Sequence, residues 1–370
     1  MTDLEGKIRD EYFNEGIDSL TPNADIRVIC QNPILRVLDG NLANIGVYQD
    51  VSIADGDTVN LNTPAEQMNH YNILDRAHIA YEVVFRPLSF FANFPDPDFP
   101  LGRKSSLRAT RDQAKRIDLS FPDQFLLSPL SFTEPKRLND DFPLMHIKSN
   151  DNRVFGTGGE APTLISHELA HAFHFSKLTK AQRGRAQDKY LEFILASPIS
   201  GVGPFHDFTM RTTPEVAYIE AAGWFSELFM EFMRARQGGG STLVRPEPIT
   251  SEIHAEFVAS EWLRVTESFF RIITSSVLRP WWPTPAAVPR FSRPIIYRGV
   301  RRPTVTGGDK EGAVYSAIFV DFAGLVGLDF AASTYFEANA LNFGEYRNFV
   351  NQQHPNHAAA LETVRIFWGL

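Results

Sequence analysis

No glycine or proline interrupts residues 163–178, and inside that stretch His167 and His171 stand four residues apart, with Glu168 directly after the first. The continuity predicts one helix, opened by Pro162 or Thr163 in its first turn. On a helix, residues at i and i+4 lie one turn apart on one face, so both imidazoles can meet at a single point. Two ring nitrogens converging in this way suit a Zn²⁺ ion at ~2.0–2.1 Å. Glu168 projects to the side of the pair, where it can take a proton from a metal-bound water without being a ligand. Leu164, Ile165, Leu169, Ala172, Phe173 and Phe175 give the same helix an apolar side, so it is expected to be a packed element. A cysteine-rich zinc knuckle and an internal disulfide framework are both excluded, because Cys30 is the sole cysteine.

Two histidines do not complete a catalytic zinc site, which takes three protein ligands and leaves one position open. His174 continues the stripe at i+7, but seven residues rise ~10.5 Å along a helix. It is read as a histidine lying behind the ligands or satisfied in the core. A third histidine ten residues after the first is absent, since that position is Lys177. The remaining ligand is therefore expected to be a carboxylate from another helix. The helix predicted over 214–236 carries Glu220, Glu227 and Glu231 at i, i+7 and i+11, on one face, with Gly223 between them. Carboxylates lining one stripe of an otherwise aromatic helix call for a cation or a polar network opposite. Glu227 is the expected metal ligand, and Glu231 the expected partner that orients a ligating histidine. Glu220 is the rival ligand and Glu215 a more distant one.

With these residues in place the chain resembles the zincin metallopeptidases, and within them the gluzincin branch. There an HExxH helix supplies two histidines and a base, and a later helix supplies a glutamate. His167-Glu168-Leu169-Ala170-His171 matches the first part. Ser226-Glu227-Leu228-Phe229-Met230-Glu231-Phe232 is similar to the glutamate helix of anthrax-lethal-factor-like peptidases in its Glu-x-x-x-Glu spacing. A shift of that alignment along the helix gives the ligand role to Glu220. The resemblance covers residues 140–235. It implies an α+β, zincin-like fold with a small mixed sheet and backing helices in an upper subdomain, a mainly helical lower subdomain, and the active-site cleft between them. It also implies an edge strand that binds extended substrate, here residues 144–148, and a helix at 71–85 behind the sheet. The implied activity is zinc-dependent hydrolysis of peptide bonds in a peptide or protein substrate, with Glu168 as general base. Two departures stand out. A predicted helix at 180–195 and a loop around Gly201-Val202-Gly203-Pro204 lengthen the step from His171 to Glu227, and no residue has a positional claim to stabilise the oxyanion. Tyr218, His206, Tyr297 and Tyr315 are the candidates, and each reads more simply as a packed or exposed residue. The competing functions are a zinc enzyme acting on a small molecule and an inactive binding module of the same fold.

Around this centre, residues 1–160 read as a mixed α+β part and 161–370 as a mainly helical part, together forming one catalytic unit. Ile26–Ile29 and Ile34–Leu38 are strand-like, with turn chemistry at Asp39-Gly40 and Asp55-Gly56. Residues 87–143 are rich in Pro and Phe and are expected to be irregular. Helical spacing returns over 251–278 and 313–370, separated by a Pro- and Arg-rich stretch around Trp281-Trp282. Its arginines (Arg290, Arg293, Arg298, Arg301 and Arg302) read as a solvated loop rather than an anion-binding rim. The net charge of −8 argues against a whole-chain grip on nucleic acid. No apolar run approaches the ~18–20 residues of a membrane span. The start Met1-Thr2-Asp3-Leu4-Glu5-Gly6 shows no secretory signal. The expected location is cytoplasmic, or exported without a visible signal peptide.

Overall fold

The computed structural model describes residues 23–30, 35–43, 45–52, 68–85, 117–123, 131–135, 143–148, 161–196, 213–237, 252–253, 256 and 313–368. Strands β1 (Asn23–Ile29) and β3 (Gly46–Ser52) pair as an antiparallel ribbon. A separate four-stranded sheet has the order β2 (Leu35–Leu38), β4 (Ile117–Ser120), β6 (Leu144–His146), β5 (Phe132–Glu134). The first three strands are parallel, and β5 runs antiparallel to β6. At Asp39, between β2 and β3, the carboxylate accepts from the backbone N–H of Asn41 (2.9 Å) and Ala43 (2.7 Å), the turn chemistry anticipated there.

Strand alternation gives the sheet two unlike faces. Leu35, Val37, Ile117, Leu119, Met145 and Thr133 form one register and are buried. The alternate register mixes apolar Leu38, Leu144 and Phe132 with polar Arg36, Asp118, Ser120, His146 and Glu134, and it too is largely buried. Arg36 donates two hydrogen bonds to Asp118, at 2.8 and 2.7 Å. Asp123 joins His146 Nδ1 at 2.7 Å and accepts from Lys148 Nζ at 2.6 Å. The ring of Phe132 stacks on His146, centroids 4.3 Å apart, and Glu134 lies 3.4 Å from His146 Nε2. Burial opposes a charge on this imidazole, but Asp123 and Glu134 outweigh it and raise the pKa above the usual histidine value. The short β5 is thereby fastened to β6 by side chains as well as by its backbone.

Between β2 and β4 the chain forms α1 (Met68–Ala80), which ends in a π-helical turn, Tyr81–Phe85. Ile73, Ala77, Ala80 and Val84 are buried, as their helical spacing predicts. Phe85 meets Phe173 of the next helix at 4.7 Å between centroids. That helix, α2 (Ala161–Lys177), is buried at every position from Leu164 to Phe175. Such all-round burial belongs to a central helix rather than an amphipathic surface one. It packs against β5 and β6, against α1, and most extensively against α4 (Pro214–Arg236). The α2–α4 contact is close because both helices offer small residues there. The hydroxyls of Ser166 and Ser226 are hydrogen-bonded, and Ser226 Oγ donates to Ser166 O at 3.1 Å.

Helix α3 (Lys180–Ala196) connects these two. Thr179 and Gln182 form a reciprocal cap at its start, with Gln182 N donating to Thr179 Oγ1 and Thr179 N to Gln182 Oε1. Arg183 turns back to donate to the carbonyls of Phe175 and Leu178 at the end of α2. Among the residues described from 313 onward lie four further helices: α5 (Ala313–Val326), α6 (Leu328–Glu337), α7 (Phe343–Gln353) and α8 (Pro355–Trp368). An aromatic cluster locks the first three of them to α4, and α8 packs on α5 and α7. Tyr218 and Tyr335 lie 4.9 Å apart between centroids, and Phe319 lies 4.8 Å from Tyr335 and 5.3 Å from Tyr346.

Two expectations need correction. Residues 144–146 are not an edge strand, because β6 is paired on both sides, by β4 and β5; the last strand in the order is Phe132–Glu134. That strand and β4 both fall within 87–143, the stretch expected to be irregular. Its strands are only three and four residues long, too short to show a period against a Pro- and Phe-rich background. The helices anticipated at 71–85, 180–195, 214–236 and 313–370 are present, the first ending in the π turn and the last as four helices. The turn at Asp55-Gly56, the loop around Gly201 and the segment 279–312 lie outside the described residues. Among the described residues no helix is long and apolar enough to cross a membrane.

Candidate metal centre

His167 and His171 extend from one face of α2 toward α4, their rings edge to face with centroids 4.7 Å apart. Glu220 of α4 reaches between them. Its Oε2 lies 3.1 Å from His167 Nε2 and 3.4 Å from His171 Nε2. One donor atom from each of these three residues falls within 4.8 Å of the other two, which is close enough for a single ion to bind all three. They are 5%, 4% and 1% exposed respectively, so the convergence is in the interior and not a chance surface meeting. The second oxygen of Glu220, Oε1, accepts a hydrogen bond of 2.6 Å from the hydroxyl of Tyr190 on α3.

The carboxylate that meets both imidazoles is therefore Glu220 and not Glu227. Glu227 lies on the other side of His167, with Oε1 3.5 Å from Nδ1. The physical reason is the point at which the helices cross. Gly223, between the two glutamates, lies against the His167 ring, so one glutamate falls on the Nε2 side of that ring and the other on the Nδ1 side. Trp224 closes the same ring edge-on at 4.9 Å. Glu231 lies on α4, but its side chain is outside the described residues; Glu215 lies in the first turn of α4.

Glu168, next to the first histidine, is held by the sheet. Thr133 of β5 places Oγ1 2.8 Å from Glu168 Oε2 and 3.0 Å from the Glu168 carbonyl. Burial raises the pKa of this carboxyl above the usual range, against the pull of His167, His171 and the Thr133 hydroxyl. For His167 the balance is opposite. Burial disfavours its charge, but Glu227 and Glu220 outweigh that and raise the imidazole well above its ordinary pKa. Three buried carboxylates around two imidazoles make a pocket that demands positive charge.

The donor set fits a divalent zinc. Two imidazole nitrogens and one carboxylate oxygen are a ligand set that zinc accepts with a further position left over. Nδ1 of His171 and Oε2 of Glu227 are buried without a hydrogen-bond partner, and Nδ1 of His167 meets Glu227 Oε1 only at an ion-pair distance of 3.5 Å, so the polar groups here are not fully satisfied by the protein alone.

Among the other residues singled out from sequence, His174 is a satisfied core histidine. Its Nε2 donates to Ala340 O at 2.9 Å, Tyr335 lies 3.4 Å from Nδ1, and burial pushes its pKa down to about 3. Tyr218 is wholly buried in the aromatic cluster. His206, Tyr297 and the side chain of Tyr315 lie outside the described residues. Sequence reasoning passed over Thr133 and Tyr190. Thr133 had a faint signal, a β-branched residue between Phe132 and Glu134; Tyr190 had none beyond its place on a predicted helix. Comparison of the chain with protein families, with curated proteins and with solved structures finds no match.

Proposed function

We propose that the chain is a zinc-dependent metallopeptidase, with His167, His171 and Glu220 as the metal ligands and Glu168 as the general base. The observation that carries the reading is the convergence of two imidazole nitrogens and the Glu220 carboxylate on one buried point, beside a glutamate that is not part of the cluster. Zinc bound there would supply Lewis acidity, polarising a carbonyl and lowering the pKa of a water toward ~7. Everything else falls to the protein's own groups. Glu168 accepts the proton of the attacking water and passes it to the leaving amine. Its raised pKa makes it a stronger base than a solvent-exposed carboxylate. Thr133 steadies the carboxylate that must do this. Glu227, at Nδ1 of His167, orients that ring and increases its basicity toward the ion. The substrate-binding role that the family resemblance gives to an edge strand passes from residues 144–148 to Phe132–Glu134.

The test is metal analysis together with hydrolysis of a panel of quenched fluorescent peptides, with and without chelator. One zinc per chain is expected, with peptide cleavage that stops on chelation and returns with added zinc. Glu168→Gln is expected to keep the zinc and abolish turnover, because the amide cannot accept the proton. A chain that binds no divalent metal, or cleaves equally well with Gln at 168, would overturn the assignment.

A further inference from the structure

We propose that Tyr190 is a positioning residue that makes Glu220 a one-oxygen ligand. The inference rests on the zinc reading above and goes beyond it, because Tyr190 belongs to α3, the segment that only lengthens the step between the two ligand helices in sequence. The Tyr190 hydroxyl donates to Oε1 of Glu220 at 2.6 Å, in the range of a charge-assisted O–H···O⁻ bond. Oε2, the other oxygen of the same carboxylate, faces both histidine Nε2 atoms. The two oxygens thus have different tasks, one turned to the phenol and the other to the ion.

Restraint of this kind matters at a site that has to keep a vertex open. A carboxylate beside a metal can bind through one oxygen or both. Chelation by both would occupy the position that a catalytic zinc keeps for water or substrate. A hydrogen bond to Oε1 sets a cost on that swing. The phenol ring is itself fixed by the histidine helix. It meets Phe175 edge to face at 6.5 Å, and Phe175 in turn stacks on His171 at 6.0 Å with the planes 22° apart. Tyr190 is therefore placed by the helix that carries the imidazoles and acts on the carboxylate of the third ligand.

The test compares the full-length wild-type chain with Tyr190→Phe, which keeps the ring and deletes only the hydroxyl. Three quantities are measured: Zn²⁺ affinity by competition with a chromophoric chelator, the visible spectrum of the Co²⁺-loaded protein, and the melting temperature of the metal-free protein. The expected result is a ~10–100-fold loss of Zn²⁺ affinity, typical for loss of a group that holds a ligand from behind. It should come with weaker Co²⁺ d–d absorption as the carboxylate closes on the ion and coordination number rises. An unchanged Co²⁺ spectrum would overturn the proposal even if affinity or melting temperature fell, since Tyr190 would then be only a tether between α3 and α4. Failure of the wild-type chain to bind either metal would instead overturn the zinc reading itself.

Discussion

The imidazole of His167 rests on Gly223. A β-carbon at 223 would lie 2.5 Å from Nε2 and 2.6 Å from both Cδ2 and Cε1. The ring cannot easily retreat, since Trp224, His171, Glu220 and Glu227 surround it. An alanine inside a helix would ordinarily gain about 1 kcal/mol over glycine. Overpacking a filled site costs about 1–3 kcal/mol, and more where the neighbours are pinned. Gly223→Ala is therefore expected to lower stability by up to about 2 kcal/mol net and to abolish tight zinc binding. A urea midpoint and a zinc titration check this; wild-type values for both would mean that the ring has room to shift.

The two glutamates of α4 should separate cleanly by metal affinity. Glu220→Ala removes a ligand and is expected to leave no tight zinc site. Glu227→Gln retains all three ligands and is expected to weaken binding only ~10–100-fold, through the lost carboxylate at Nδ1 of His167. Competition titrations give the ranking. The reverse order would return the ligand role to Glu227.

Thr133→Val keeps the shape of the β5 side chain and deletes its hydroxyl. The hydrogen bond from that hydroxyl lowers the pKa of Glu168 against the upward push of burial, so its loss should raise the pKa further. The acidic limb of kcat/KM against pH, measured with a quenched peptide, should therefore move to higher pH. A limb that stays in place would separate Thr133 from the base.

His174 sets a pH dependence of stability. Its pKa falls from 6.5 to about 3 on folding. Between those values the unfolded chain binds a proton that the folded one refuses. The stabilisation is thus present above the unfolded pKa and is lost as pH falls toward 3. At full extent the loss is about 5 kcal/mol. Metal-free protein should lose stability steadily from pH 6.5 downward, and His174→Gln should flatten the slope while starting from a lower plateau. Denaturant unfolding at several pH values compares the two; parallel curves would remove His174 as the cause.

The histidine pair was legible in the sequence because its geometry is local: two residues four apart on one uninterrupted helix need no tertiary information to meet. The carboxylate that completes the cluster was legible only as a face. Glu220 and Glu227 both project from it, and the choice between them depends on where α2 crosses α4, which Gly223 marks and no spacing rule reveals. Thr133 and β5 stayed hidden because a three-residue strand ending at Glu134, just before Pro135, carries no readable period. Tyr190 was invisible for a different reason. Its partner Glu220 is 30 residues away, on a helix whose rotation relative to α3 is a property of the packed core.

His167 and Glu220 are 53 residues apart along the chain. An ion joining them would act as a removable staple across that loop. A covalent link closing a loop of this size limits the denatured chain by roughly 4 kcal/mol. Withdrawing the ion would thus loosen the interior at the same moment as it silenced the chemistry. For such a molecule the metal-free chain would keep its fold on a thinner margin, so the same withdrawal that stopped turnover would also make it the more readily unfolded form.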